Sequence, residues 1–115
     1  MNIAVSANGE SLDSQVSEQF EKCYYLLIIN TDNFNIKALK NDELILSSEI
    51  LKNNCEALIT GRIGTKEFDI LADAYITRYN GSGSSVMDSI KLMDKNLLKI
   101  IKTCDGSNDC GGHHS

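Results

Sequence analysis

The chain has no histidine before position 113. It also lacks any run of basic residues and any apolar stretch approaching the ~20 residues that span a bilayer. Its longest apolar runs are "YYLLII" and "LLKII", so a membrane-spanning segment is excluded. With a net charge of −5 and no clustered Lys or Arg, nucleic acid and anionic membranes are poor partners, because both are bound through counterion release or headgroup pairing. The opening "MNIAVSANGE" lacks a basic region, an apolar core and a small-residue cleavage site, which predicts a cytoplasmic chain with reduced cysteines.

Catalytic signatures are missing as well. There is no G-x-S-x-G, no H-E-x-x-H, no Walker loop and no G-x-G-x-x-G. Strand one would carry no carboxylate for a two-metal site. A cysteine–histidine nucleophile would have to borrow its base from the terminus, which is poor preorganisation. The expectation is a protein that is not an enzyme; turnover of a small anionic substrate is the weakest reading.

At 115 residues with 42% hydrophobic and 23% charged content, the chain fits one globular domain. "NIAVSA" reads as a buried strand ended by the Asn8-Gly9 turn. "LDSQVSEQF" places Leu12, Val16 and Phe20 at helical spacing and predicts a short amphipathic helix. The apolar run Cys23–Thr31 reads as a central strand, hairpinned to the alternating segment Phe34–Lys40. A helix within Asp42–Asn53 built on Leu46, Ile50 and Leu51 precedes a strand at Glu56–Thr60. Thr65 is expected to cap a helix through Ala72 with Phe68, Leu71 and Ala72 inward, followed by a strand at Ala74–Tyr79. Val86, Ile90, Met93 and Leu97 mark a last helical stripe, and "NLLKIIK" fits helix or strand equally. The order predicts an α/β sandwich around a mixed five-stranded sheet, with strands one, four and five parallel and strand two antiparallel. Residues 1–103 form the domain, and 104–115 form a Cys/Gly/His-rich tail.

Ligands of open α/β sheets sit beyond the carboxyl ends of the parallel strands. Three loops fall there: "SANGE", "GRIG" and "NGSGSS". The candidate ligand-binding residues are Asn8, Gly9, Gly61, Arg62, Gly64, Gly81, Ser82 and Gly83. Glycines let a backbone approach a ligand, helix N-termini favour an anion, and Arg62 adds a bidentate donor. Turn geometry alone explains such glycines equally well. Cys55 reads as packing. Cys23 does too, with a ligand role left open by its place at a strand entrance. The tail "TCDGSNDCGGHHS" is polar, which removes packing as the reason for Cys104 and Cys110. Together with His113 and His114 they form a soft donor set suited to an iron–sulfur species, zinc or copper.

Several segments in order resemble the dinitrogenase iron–molybdenum cofactor biosynthesis family, the small proteins related to nitrogenase accessory factors X, Y and the C-terminal part of B. They are "MNIAVSANGESLDSQVSEQFEKCYYLLI", "ALITGRIG", "ITRYNGSG" and the Cys–Gly–His ending. The resemblance implies a ribonuclease-H-like α/β/α sandwich of strand order 3-2-1-4-5 with strand two antiparallel. It also implies a non-catalytic carrier of an iron–sulfur cluster or iron–molybdenum cofactor precursor, a monomer or weak homodimer that exchanges cargo with metallocluster assembly or acceptor proteins. The alternative is a mononuclear zinc or copper chaperone or sensor using the tail. Gln19 stands where the family's V-S-x-H-F segment often has histidine, and the segment "NDELILSSEILKNN" lacks a histidine often found there.

Overall fold

The structure is a computed structural model and describes residues 1–102. Its elements are β1 (Asn2–Ala7), a 3-10 turn (Phe20–Lys22), β2 (Tyr25–Asn30), β3 (Ile36–Lys40), α1 (Leu46–Lys52), β4 (Ala57–Thr60), α2 (Thr65–Asp73), β5 (Thr77–Asn80), α3 (Val86–Asp94) and β6 (Lys99–Ile100). The strands form one sheet in the order β3-β2-β1-β4-β5-β6. β1 lies between β2, antiparallel in the register Asn2↔Asn30 to Ala7↔Tyr25, and β4, parallel from Ile3↔Ala57. β5 continues the parallel set.

Both faces of β1 are covered, which is why it reads as a continuous apolar run rather than an alternating one. Ile3, Val5 and Ala7 pack with Val86, Ile90 and Met93 of α3. Ala4 and its sheet neighbours Leu26 and Leu58 pack with Leu46 and Ile50 of α1 and Leu71 of α2. The result is a three-layer α/β/α arrangement. None of these helices exceeds nine residues, too short to persist alone, so tertiary burial holds them. For α3, burying Val86, Ile90 and Met93 supplies about 1.5–3 kcal/mol each.

The parallel set, the β2–β3 hairpin and the inner face of α3 match the sequence reading. Several expectations do not. A sixth strand is present: the ambiguous "NLLKIIK" ends as β6, antiparallel to β5 through Tyr79↔Ile100 and Asn80↔Lys99. Leu97 lies beyond α3 and is 64% exposed. The helix expected at "LDSQVSEQF" does not form. Val16 packs on the α3 face and Phe20 on the α1/α2 face, so the segment climbs over the sheet end instead of presenting one stripe. Its N–H groups go to distant carbonyls, Val16 to Ser84 (3.0 Å) and Ser17 to Ser6 (2.8 Å). Ser11 and Ser14 close a local turn of the kind that competes with helix.

Boundaries also shift. β2 begins at Tyr25, because Cys23 caps the 3-10 turn with its N–H on the Phe20 carbonyl. β5 begins at Thr77, because Ala74–Ile76 closes α2: Tyr75 takes φ 61° and the Ile76 N–H returns to Leu71 O at 3.0 Å. Leu51 is 42% exposed, leaving Leu46 and Ile50 as the inner face of α1. Gly64, not Thr65, is the N-cap of α2. Leu71 is fully buried on that helix, while Phe68 and Ala72 are half-buried. Among the described residues no helix is long and apolar enough to cross a membrane.

Candidate functional site

The climbing segment makes the loop face. It bridges Gln15 to Ser85, Val16 to Ala7 and Gln19 to Arg62, and so ties all three loops at the carboxyl ends of β1, β4 and β5. Arg62 N–H donates to Glu18 O at 2.7 Å, and Phe20 N–H donates to Arg62 O at 2.8 Å. Beneath it, the hydroxyls of Ser6 and Thr60, fully buried on adjacent strands, share a 2.6 Å hydrogen bond. Ser17 Oγ donates to Gln19 O at 2.6 Å. Buried polar atoms here are paired, which rigidifies the floor.

This arrangement accounts for most of the glycines. A Cβ on Gly61 would overlap the Glu18 carbonyl, and one on Gly81 would stand 2.5 Å from Ile59 Cγ2. Gly9 abuts Ser14, and Gly64 abuts the Glu21 carboxylate. Gly83, at φ 89°, faces open space, beside Ser82, whose N–H donates to Asn80 Oδ1 at 3.0 Å. The helix N-termini also have acceptors from their own chain. At α3, Val86 N–H donates to Ser14 O (2.8 Å), Met87 N–H to Leu12 O (2.9 Å) and Asp88 N–H to Ser85 Oγ (3.1 Å). At α2, the Glu21 carboxylate accepts from Gly64 N–H at 2.7 Å, the position an anion would take.

What remains open is a cleft of about 430 Å³ lined by Asn8, Ser17, Glu18, Gln19, Lys22, Tyr24 and Arg62. A polar depression of about 190 Å³ adjoins it through Gln19 and Arg62 and reaches Glu21, Ile63 and Gly64. The Tyr24 side chain stands 67% exposed at the wall. Lys22 and Arg62 against Glu18 leave the larger cleft one positive charge ahead. Its donors are a guanidinium, an ammonium and carboxamides, suited to hydrogen-bonding an anionic surface. Of the candidate residues, the fold gathers Asn8, Arg62 and Gly64 at these depressions; Gly9, Gly61, Gly81, Ser82 and Gly83 do not line them. Ser17, Lys22 and Tyr24 were not singled out by the sequence. The available signal was a charged and an aromatic residue flanking Cys23 just before an apolar strand.

Cys23 is buried in the α1/α2-side core, with its carbonyl held by Asn41 Nδ2 at 2.8 Å. Burial pushes its thiol up from an ordinary 9.0 to about 11, and does the same at Cys55. A neutral core thiol is a poor ligand. Among the described residues no three His, Cys, Asp or Glu side chains gather to hold a metal. Cys104, Cys110, His113 and His114 lie outside the described residues.

The route to them is set by β6. Being antiparallel to β5, it carries the chain away from the loop face. Ile101 N–H donates to Arg78 O at 2.6 Å, and Arg78 Nη2 donates back to Ile101 O at 3.4 Å. The Arg78 guanidinium, its pKa lowered by burial, stacks 4.4 Å from the Phe68 ring centroid and also holds Ile76 O at 2.7 Å.

Comparison with known proteins gives a consistent picture. The family model described as dinitrogenase iron-molybdenum cofactor matches residues 1–96. The apo form of the orange protein from Desulfovibrio gigas is similar in structure, with a TM-score of 0.77 at 20% identity over 88% of this chain and 92% of that one. A Thermotoga protein provisionally designated NifB aligns at a TM-score of 0.78 and 23% identity, over 89% and 94%. A Methanocaldococcus jannaschii protein provisionally designated a dinitrogenase aligns at 0.74 and 28% identity, over 89% and 95%. No curated protein matches the chain significantly.

Proposed function

Since the chain belongs to the dinitrogenase iron-molybdenum cofactor family, we propose that it is a non-catalytic carrier whose cargo is an iron–sulfur cluster or iron–molybdenum cofactor precursor. The cargo rests in the cleft between Asn8, Lys22, Tyr24 and Arg62, and metallocluster assembly or acceptor proteins deliver or receive it. The observation that carries this reading is the cleft's makeup: an open site lined by hydrogen-bond donors and one positive charge ahead. Outer-sphere donors grip an anionic cluster without transforming it, whereas proton transfer would need a positioned base. The described residues offer no accessible thiol, since Cys23 and Cys55 are buried, so direct metal ligation falls to the tail as a separate segment after the domain.

Chain length divides the tail ligands. Ile101 lies beside Arg78, itself paired with Leu58 near the start of β4, while Arg62 is beyond that strand's far end. Two sheet spacings across and about five residues along put Lys102 roughly 19 Å from the cleft. Cys104 stands two residues beyond Lys102 and reaches about 7 Å, far too short. Eight residues beyond Lys102, Cys110 has a contour of about 26–29 Å, enough to span that distance, and His113 and His114 have more. Of the four tail ligands, Cys110, His113 and His114 have the chain length to reach the cleft and Cys104 does not. The same limit favours a second reading, in which all four tail donors gather on one zinc or copper ion away from the cleft.

Anaerobic reconstitution with iron and sulfide, read by absorption and Mössbauer spectroscopy, tests the carrier. The full chain takes up cluster, Lys22→Ala/Arg62→Ala weakens uptake, and Cys104→Ser leaves it unchanged while Cys110→Ser does not. Absence of any cluster in the full chain refutes it. Equal loss with Cys104→Ser and Cys110→Ser, together with bound zinc or copper, moves the assignment to the second reading.

A further inference from the structure

We propose that Asn8-Gly9 is a self-modifying site, at which Asn8 deamidates to aspartate and isoaspartate and places a new carboxylate in the cleft. Two Asn-Gly pairs occur in the chain, Asn8-Gly9 and Asn80-Gly81. In both, the absence of a Cβ on the second residue leaves room for its backbone nitrogen to close on the asparagine side chain. That nitrogen attacks Asn8 Cγ, a C–N bond forms, and ammonia departs with the displaced amide nitrogen. The resulting five-membered imide then takes up one water. Opening at the side-chain carbonyl gives aspartate, and opening at the main-chain carbonyl gives isoaspartate. No oxidant, metal or enzyme is needed.

The fold treats the two pairs differently. Gly81 is buried, and its N–H is bound to Thr60 O at 2.9 Å. Asn80 Oδ1 accepts from Ser82 N–H at 3.0 Å, which holds its carboxamide in the turn. Neither reacting group is free to turn toward the other. Asn8 is exposed and follows the last residue of β1, with its own N–H tied to Gln15 O at 2.9 Å. Among the described residues, the Gly9 N–H and the Asn8 carboxamide meet no hydrogen-bond partner. Ring closure at Asn8 therefore breaks no hydrogen bond among the described residues, whereas at Asn80 it breaks two.

The consequence lies in the cleft. Asn8 shares it with Lys22, Arg62 and Glu18, so one added carboxylate takes its formal charge from +1 to 0. Isoaspartate also lengthens the backbone by one methylene where β1 leaves the sheet. For an anionic cargo, an effect that rests on the carrier reading above, the modified protein is a weaker holder that ages with time since synthesis.

Peptide mapping of the full-length protein held in warm, mildly alkaline buffer tests the site, with isoaspartyl methyltransferase labelling to separate the two products. The Asn8 peptide gains the mass of O for NH several-fold faster than the Asn80 peptide. In urea-unfolded chain the two convert at similar rates. Equal rates in the folded protein, or an intact Asn8 peptide after the Asn80 peptide has changed, would overturn the proposal. Reconstitution of Asn8→Asp with iron and sulfide then reads the consequence separately. If mapping succeeds and Asn8→Asp takes up cluster like the wild type, the modification stands and the placement of cargo beside Asn8 fails.

Discussion

Replacing Gly61 by alanine separates two meanings of a glycine in this fold. A glycine kept for a ligand tolerates alanine until the ligand arrives, while one kept for the chain itself does not. Gly61 has an ordinary backbone conformation, since Gly83 is the glycine at positive φ among the described residues, so strain in φ plays no part. The methyl group would overlap the Glu18 carbonyl, a backbone atom that cannot rotate away. Overpacking of this kind costs about 1–3 kcal/mol. Moving Glu18 also strains the Arg62 N–H···Glu18 O and Phe20 N–H···Arg62 O bonds, each worth about 0.5–1.5 kcal/mol. The combined loss is about 2–6 kcal/mol, against the ~5–15 kcal/mol of a typical domain. At ~4–8 °C per kcal/mol, Tm falls by at least about 8 °C. Gly64→Ala is the milder comparison, because its Cβ meets the far end of the Glu21 side chain at 3.0 Å and not backbone, and the loss is that of an alanine N-cap on α2, about 1 kcal/mol. Thermal unfolding followed by circular dichroism reads both. A Gly61→Ala protein that melts with the wild type would refute the claim that the climbing segment claims this position.

Three further outcomes follow from the same packing. Ser6→Ala or Thr60→Val strands one buried hydroxyl partner and costs about 1–3 kcal/mol by urea unfolding, while the double variant loses less than the sum of the two. Cys23 and Cys55 are protonated when folded, with thiols raised from 9.0 to about 11, so the unfolded chain loses protons first as pH rises. Stability contributed by these thiols is intact below pH 9 and drains between pH 9 and about 11, visible as a falling urea midpoint that Cys23→Ala/Cys55→Ala flattens. Arg78→Met keeps the stacking volume over Phe68 but removes the donors to Ile76 O and Ile101 O, and hydrogen exchange at Ile101 accelerates ahead of the rest of the sheet.

Much of the architecture was legible in residue order, for physical reasons that also explain the failures. β1 and β4 are buried on both faces, so their short apolar runs could not be mistaken for surface, and Val86, Ile90 and Met93 present one stripe to one face. Leu12, Val16 and Phe20 carry the same spacing, yet Val16 and Phe20 serve opposite faces of the sheet. Periodicity reports which residues are buried, not whether they are buried on one side. β6 was ambiguous because two paired residues leave no period to read. Asn8 and Arg62 line the cleft because they lie in loops after parallel strands, a placement that is read from topology. Lys22 and Tyr24 arrive from the irregular climbing segment, whose path depends on contacts with Ser6, Ser84 and Arg62 that no local pattern encodes. The glycine loops were correctly placed at the carboxyl ends of the strands. What packs against Gly61, Gly64 and Gly81 is the protein itself.

Under the proposed carrier function, this protein holds a metallocluster and releases it unchanged. Its most direct test loads the full chain anaerobically with an isotopically labelled iron–sulfur cluster, adds an apo acceptor protein and an excess of iron chelator, and follows where the label goes. Label passing to the acceptor as intact cluster, with the chelator left empty and the carrier chemically unaltered, is the expected result. Label captured by the chelator in full, with none on the acceptor, would rule out the carrier function.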